Sequence, residues 1–416
     1  MKVPGQSLRI FAGLVTGLAL GTALTASGSR WLEPALAVAA PIGRMWLDAL
    51  TMTVVPLVFS LLVTGIASAA ESASAGGIAR KALVWFAILL VAACALAALL
   101  TSTLLSLWPI RAAATLIGGA ASAPIGTALS ADWVAGIIPT NPVKAAADTA
   151  MVPLVVFALL FGFALVRIAE PLRRILIALL QAIVETMLVI VHWVLWLAPI
   201  GVLALALGVG SRLGVGAAGT LLQYVMIVAA SCVAAAVIAS LVGIIVGRMS
   251  PAAFFRAAFP VQIVAVSTQS SLASLPAMIE AAPALGVSRD GAGVVLPLAV
   301  SIFRAASAAA NVAVAIYVAH VHGIPLSVGT IAVGVLTAAA VSLAAVGLPA
   351  QVSFFATIAP VCVAIGAPIT LLPVLLAIES LPDIFRTFGN VTADLAVMRL
   401  AGRSGTGARA TTEDLL

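Results

Sequence analysis

Five residues near the C-terminus, Asp383, Arg386, Thr387, Asn390 and Asp394, are spaced to do chemistry together. In a helix turning about 100° per residue they fall within roughly 60° either side of one line, so a single face carries two carboxylates, a guanidinium, a hydroxyl and an amide. A guanidinium pairs bidentately with a carboxylate, and a desolvated carboxylate wants a cationic partner such as an ammonium group. An acidic amino acid satisfies both. The surrounding chain is oily: of 416 residues 8% are charged and 63% hydrophobic, with mean hydropathy +1.25. Such a composition marks an integral membrane protein, in which ionisable residues at membrane depth are functional by default.

The elements that must position this face are helices. Hydropathy places candidates near 9–27, 42–69, 82–108, 134–167, 175–208, 217–247, 291–321 and 370–398, an all-α membrane protein with eight transmembrane helices. The net charge of +6 does not mark a nucleic-acid binder, because Lys and Arg are scattered through short connections. Lys2 and Arg9, Arg80 and Lys81, Arg167, Arg173 and Arg174, Arg248 and Arg256, and Arg399, Arg403 and Arg409 instead mark cytoplasmic boundaries. Both termini are therefore expected inside a cell inner (plasma) membrane, with the N-terminal apolar run retained as the first helix. Cys94, Cys232 and Cys362 lack paired spacing, which implies neither disulfides nor a metal site, and no cofactor is expected. No His-Glu-x-x-His motif or Ser–His arrangement points to an enzyme, since His192, His320 and His322 lie far from the polar clusters and suit packing or solvated helix ends.

In the first half, Pro56 and Pro199 are expected to kink their helices. Residues 137–153, with two prolines, Asn141, Lys144 and Asp148, read as a loop or a helix held in pieces. The second half is interrupted where spanning helices should not be. Residues 252–283 carry Ser267-Thr268-Gln269-Ser270-Ser271 between two apolar arms, each read as too short to span alone, and 328–370 repeat the form around Gly347 and Pro349. Paired interruptions of this kind point to re-entrant helical hairpins of an inverted-repeat transporter with a midplane site.

With these motifs in place, the chain resembles the dicarboxylate/amino acid:cation symporter family, which includes glutamate and aspartate transporters. MTVVPLVFSLLVTGIAS looks like the family's second helix, IIPTNPVKAAADTAMVPLVVFALLFGFAL its fourth and WLAPIGVLAL its fifth. VSTQSSLASLP looks like the first hairpin, AAVGLPA the second hairpin tip, and DIFRTFGNVTADL the eighth helix. The resemblance implies that Arg386 binds a side-chain carboxylate, Asp383 the amino group and Asn390 the main-chain carboxylate, while Thr387 helps hold the ligand. It further implies contacts from Gln269, Ser270 and Ser271 of the first hairpin, from Ser307, and from the backbone of Gly347 and Leu348. Dicarboxylate members lack the equivalent of Asp383, which favours aspartate or glutamate over succinate or malate.

The chain also departs from the family pattern. The seventh-helix Asn-Met-Asp-Gly-Thr motif is replaced by Phe303-Arg304-Ala305-Ala306-Ser307, and the third-helix oxygen ligands align with Leu89, Ala92 and Ala93, the second-hairpin threonine with Ala345. Asp394 is the best-kept sodium carboxylate, leaving a residual sodium site at Asn390 and Asp394. Arg304 is positioned as a cation surrogate that balances Asp394 or repels sodium, the alternative being a plain Arg–Asp pair fixing helix packing. Pro382 is expected to free the carbonyl of Ile378.

The reading is an elevator-type transporter of acidic amino acids, with sodium coupling doubtful and proton coupling or uncoupled exchange in its place. Residues 1–247 would form mainly scaffold and trimerisation helices, with helices three and six joining a core transport domain at 248–400, followed by a cytoplasmic tail at 401–416. Partners would be the acidic amino-acid substrate, the bilayer and two further copies in a homotrimer. A C4-dicarboxylate carrier and a substrate sensor that has lost transport are the competing readings.

Overall fold

The computed structural model describes residues 6–74, 76–109, 138–213, 216–344 and 350–402. Among the described residues every regular element is helical. The first half holds α1 (Gln6–Ala26), α2 (Leu32–Thr51), α3 (Val54–Ser74), α4 (Gly77–Leu107), α5 (Pro142–Ala147), α6 (Met151–Leu165), α7 (Glu170–Trp196), α8 (Ala198–Leu213) and α9 (Gly216–Ile245). The second half holds α10 (Pro251–Thr268), α11 (Leu275–Ala281), a 3-10 turn (Pro283–Leu285), α12 (Arg289–Ile302), α13 (Ala305–Val321), α14 (Val328–Ala344), α15 (Ala350–Ala364), α16 (Leu372–Leu376) and α17 (Ser380–Gly402). Among the described residues seven stretches are long and apolar enough to cross a membrane, and the protein is a multi-pass membrane protein.

The boundaries differ from the hydropathy reading for local reasons. The run at 42–69 divides at Met52 and Thr53, and that at 175–208 divides at Leu197. Pro56 and Pro199 therefore stand in the first turns of α3 and α8, where a missing N–H costs nothing, and they start helices instead of kinking them. The 134–167 candidate lies partly outside the described residues, which leave the 15-residue α6 preceded by the short α5. Asn141 caps α5 by accepting from the N–H groups of Val143 and Lys144, so this stretch is a helix held in pieces. The first arm of the 252–283 segment is longer than expected. With 18 residues and a mean hydropathy of 1.2, α10 suffices for a crossing by length and composition, because its apolar character continues to Thr268. The seven-residue α11 does not, and it packs back against α10. The tip of the 328–370 segment, with Gly347 and Leu348, lies outside the described residues.

Small residues set the closest helix contacts. Along α1, Gly13 and Gly17 face the α8 backbone: a Cβ at either would lie 2.5 Å from a carbonyl oxygen, of Pro199 or Leu203. A methyl group cannot be admitted there, so these glycines fix the α1–α8 spacing. In the second half α13 is the hub, buried almost all round and packed against α4, α9, α14, α15 and α17. A helix apolar on every side belongs at the centre of a bundle. Against it lies α17, which also packs on α9, α10 and α12. Gln262 on α10 donates to Thr392 on α17 at 2.9 Å. At the far end of α17, Arg399 donates to the carbonyls of Gly247 (2.8 and 3.0 Å) and Leu285 (3.0 Å), tying that end to two other C-terminal ends whose carbonyls want a cation.

Candidate functional site

The site begins at a break. What reads as one span over 291–321 is two helices, because Phe303 and Arg304 leave helical geometry (φ −113°, ψ 101° and φ −126°, ψ 65°) between α12 and α13. Phe303 is pinned by stacking on Phe86 of α4, ring centroids 4.5 Å apart and 12° from parallel. The start of α13 carries first-turn N–H groups with no intrahelical acceptor, and α17 supplies one. Asn390 Oδ1 accepts from the N–H groups of Ala306 (3.0 Å) and Ser307 (3.2 Å), while Asn390 Nδ2 donates to Ser307 Oγ (2.9 Å). Gly389 permits this approach, since a Cβ there would meet Ala306 Cβ at 2.5 Å.

The five residues first singled out all lie on α17, and all are buried: Asp383, Arg386, Thr387, Asn390 and Asp394. A further charged group, Glu379, stands immediately before α17 and is not among the five. Glu379, 2% exposed, places Oε1 2.7 Å from Arg386 Nη1 and accepts from the Tyr224 hydroxyl at Oε2 (3.0 Å). The signal was available, for Glu379 lies about 40° from Asp383 by helical spacing, but Pro382 between them reads as a helix start. Pro382 does stand in the first turn of α17, and the Ile378 carbonyl is not left free: it accepts from the N–H of Leu381 at 3.1 Å. The Arg386 guanidinium also lies over the Phe354 ring, 5.8 Å from its centroid.

Arg386 and Asp383 line a polar cavity with Arg304, Ser307, Asn311, Ser342 and Thr357. Arg386 Nε and Nη2, both polar side-chain atoms of Asn311 and Ser342 Oγ are buried with no hydrogen-bond partner, as are both carboxylate oxygens of Asp394. Buried polar groups are nearly always paired, in protein interiors often by ordered water, so these are the atoms open to a water or a ligand. Asn311, Ser342 and Thr357 were not singled out in the sequence, although a lone amide within AAANVAVA was a visible anomaly. Thr387 is not on the cavity wall; its hydroxyl donates to the Asp383 carbonyl at 2.9 Å. Gln269, Ser270 and Ser271 are also absent from the wall. Gln269 is exposed and takes a left-handed conformation (φ 51°) at the end of α10, and Ser270 Oγ accepts from the Ala273 N–H.

The sequence model of the "Sodium:dicarboxylate symporter family" matches residues 7–403. The chain belongs to that family. It is 29% identical over 410 residues to the proton/glutamate-aspartate symporter of Escherichia coli (strain K12), covering 94% of this chain and 91% of that protein. It is 28% identical over 428 residues to the neutral amino acid transporter B(0) of Bos taurus, covering 92% of this chain and 76% of that one. A C4-dicarboxylate transport protein 2 of Bradyrhizobium diazoefficiens is 28% identical over 303 residues, 70% of this chain and 64% of its own length. Membership makes this chain a transporter of the dicarboxylate and amino-acid class.

Proposed function

We propose that the protein is a secondary transporter of acidic amino acids whose substrate binding is independent of sodium. The observation that carries the reading is Arg386 and Asp383 side by side on one buried cavity, a guanidinium for a carboxylate and a carboxylate for an ammonium group. A relative named for proton, glutamate and aspartate supports it. A C4-dicarboxylate would meet Arg386 but leave Asp383 facing a second carboxylate. A neutral amino acid is the second reading, favoured by Glu379, which already compensates Arg386.

Sodium independence rests on the loss of hard oxygen ligands. Leu89 and Ala93 are buried apolar residues, Phe303 is stacked on Phe86, and Asn390 spends its oxygen on two backbone N–H groups. A proton is the coupling ion in this reading, with Asp394, buried and accepting no hydrogen bond, as the carboxylate available to carry it. Titrating purified protein with aspartate in sodium and in a large organic cation at equal ionic strength is expected to give equal affinities. Uptake into proteoliposomes is expected to follow an imposed proton gradient. Ion-coupled binding would instead show about a 5–150-fold gain in affinity with the ion, and such a gain with sodium would defeat the proposal. Binding without uptake would make the protein a sensor.

Residues 248–400, with α4 and α9, would form the moving domain of an elevator, and the first and second hairpins its gates. Packing supports the division: α13 and α17 gather α4 and α9, while α1 and α2 pack on α8. Both termini would lie on the cytoplasmic side of the inner membrane. A trimer rests on family resemblance alone, and mass measurement in detergent is expected to give three copies; a monomer or dimer would reject it.

A further inference from the structure

We infer that Glu379 takes up a proton when an acidic ligand binds: a ligand carboxylate occupies the open edge of Arg386, and one proton from water goes onto Glu379 Oε1. This rests on the acidic-substrate reading above and deepens it, and the proton is separate from the one assigned to Asp394. Arg386 has one corner in use and one edge open. Its Nη1 stands 2.7 Å from Glu379 Oε1, whereas Nε and Nη2 are buried with no hydrogen-bond partner. Two adjacent N–H groups of a guanidinium form the fork that takes a carboxylate bidentately. A ligand docked there leaves Glu379 in place, so two carboxylates share one positive charge at a buried site. Like charges that close do not both stay ionised, and a proton neutralises one of them.

Glu379 is the carboxylate that takes it. The ligand gains two donors from the open edge, while Glu379 holds one corner of the guanidinium and accepts from the Tyr224 hydroxyl at Oε2 (3.0 Å). That bond occupies Oε2 and leaves Oε1 for the proton. The other titratable groups facing Glu379 are Asp383 of α17, assigned to the ligand's ammonium group, and Cys232 of α9, a buried thiol. Tyr317 of α13 packs edge-on against Tyr224, and Phe354 of α15 lies against the Arg386 guanidinium; neither ring adds a charge. The charge of Arg304 is felt by Asp383, Arg386 and Asp394. The cavity has room for about one water, so an amino acid is admitted only when its wall opens. Glu379 is not part of that wall. The Asp383 N–H donates to the Glu379 carbonyl at 2.9 Å, which ties Glu379 to the turn carrying Asp383 and keeps it with Arg386 as the wall opens.

The test counts protons. L-aspartate is titrated calorimetrically into the purified full chain in two buffers of different ionisation enthalpy, from about pH 5 to about pH 8, which gives the protons taken up per ligand bound. The parent is expected to take up protons and to lose affinity as pH rises, by up to about tenfold per pH unit for each proton. In Glu379→Gln, whose amide keeps the size and cannot titrate, uptake is expected to fall by about one proton per ligand, and affinity at the alkaline end to exceed the parent's by about tenfold. Tyr224→Phe removes a hydrogen bond that favours the ionised form of Glu379, so the fall in affinity should move to higher pH, which a packing role alone would not cause. A parent that binds aspartate with no proton uptake in this range overturns the inference, as does a folded Glu379→Gln protein with the parent's full uptake. Should Glu379→Gln fail to fold, by its thermal transition, an unmoved pH dependence in Tyr224→Phe overturns it instead. A parent that binds asparagine as tightly as aspartate overturns the acidic-substrate reading itself, a different result seen before any variant is made.

Discussion

Arg386→Ala is expected to weaken the binding of acidic amino acids strongly and, separately, to destabilise the protein. The binding loss is expected at about 2–5 kcal/mol, the cost of truncating one side of a desolvated charge pair. The stability loss has another source. Glu379 is 2% exposed and would keep the Tyr224 hydroxyl but lose the guanidinium 2.7 Å away. Removing one partner of a buried ion pair typically costs about 3–5 kcal/mol, because the survivor is left charged and uncompensated. Adding Glu379→Gln should therefore recover much of the thermal midpoint and none of the aspartate affinity. Isothermal titration of the single and double variants, with thermal unfolding alongside, separates the two effects. A folded double variant that binds aspartate within roughly threefold of the parent, about 0.6 kcal/mol, would remove Arg386 from the site.

Asn390→Ala is expected to cost both stability and affinity. Asn390 Oδ1 is the acceptor for the N–H groups of Ala306 and Ser307, at the buried meeting of α13 and α17. Leaving a buried donor unsatisfied costs about 1–3 kcal/mol, and here there are two. Affinity should fall with stability, because the same bonds fix the turn that carries Arg304. Asn390→Asp keeps an acceptor for both N–H groups and should hold the thermal midpoint above that of Asn390→Ala. The measurement is thermal unfolding in detergent for both variants with and without aspartate. An Asn390→Ala protein with the parent's midpoint but no aspartate response would show that Asn390 serves the ligand and not the helix junction.

Composition and helical periodicity are enough to give the class of protein and one face of the site. Composition made the chain a membrane protein, and the 3.6-residue period placed Asp383, Arg386, Thr387, Asn390 and Asp394 together, since spacing along one helix is a local property. It also exposed Arg304 as a guanidinium where an apolar run has no use for one. The resemblance in DIFRTFGNVTADL agreed with the family match over residues 7–403.

What those side chains meet depends on how the helices pack. Glu379 became the partner of Arg386 because α17 starts just after it and α9 brings Tyr224 alongside. Thr387 and Asn390 share the charged face, yet one bonds back to its own helix and the other to the start of α13, a choice set by how closely Gly389 lets two helices approach. Asn311, Ser342 and Thr357 come from α13, α14 and α15, and they join Asp383 and Arg386 of α17 on one wall through contacts between helices distant in sequence. Periodicity reports which residues share a face. Which faces close on one another, and which polar groups are left open between them, follows from packing that no single helix encodes.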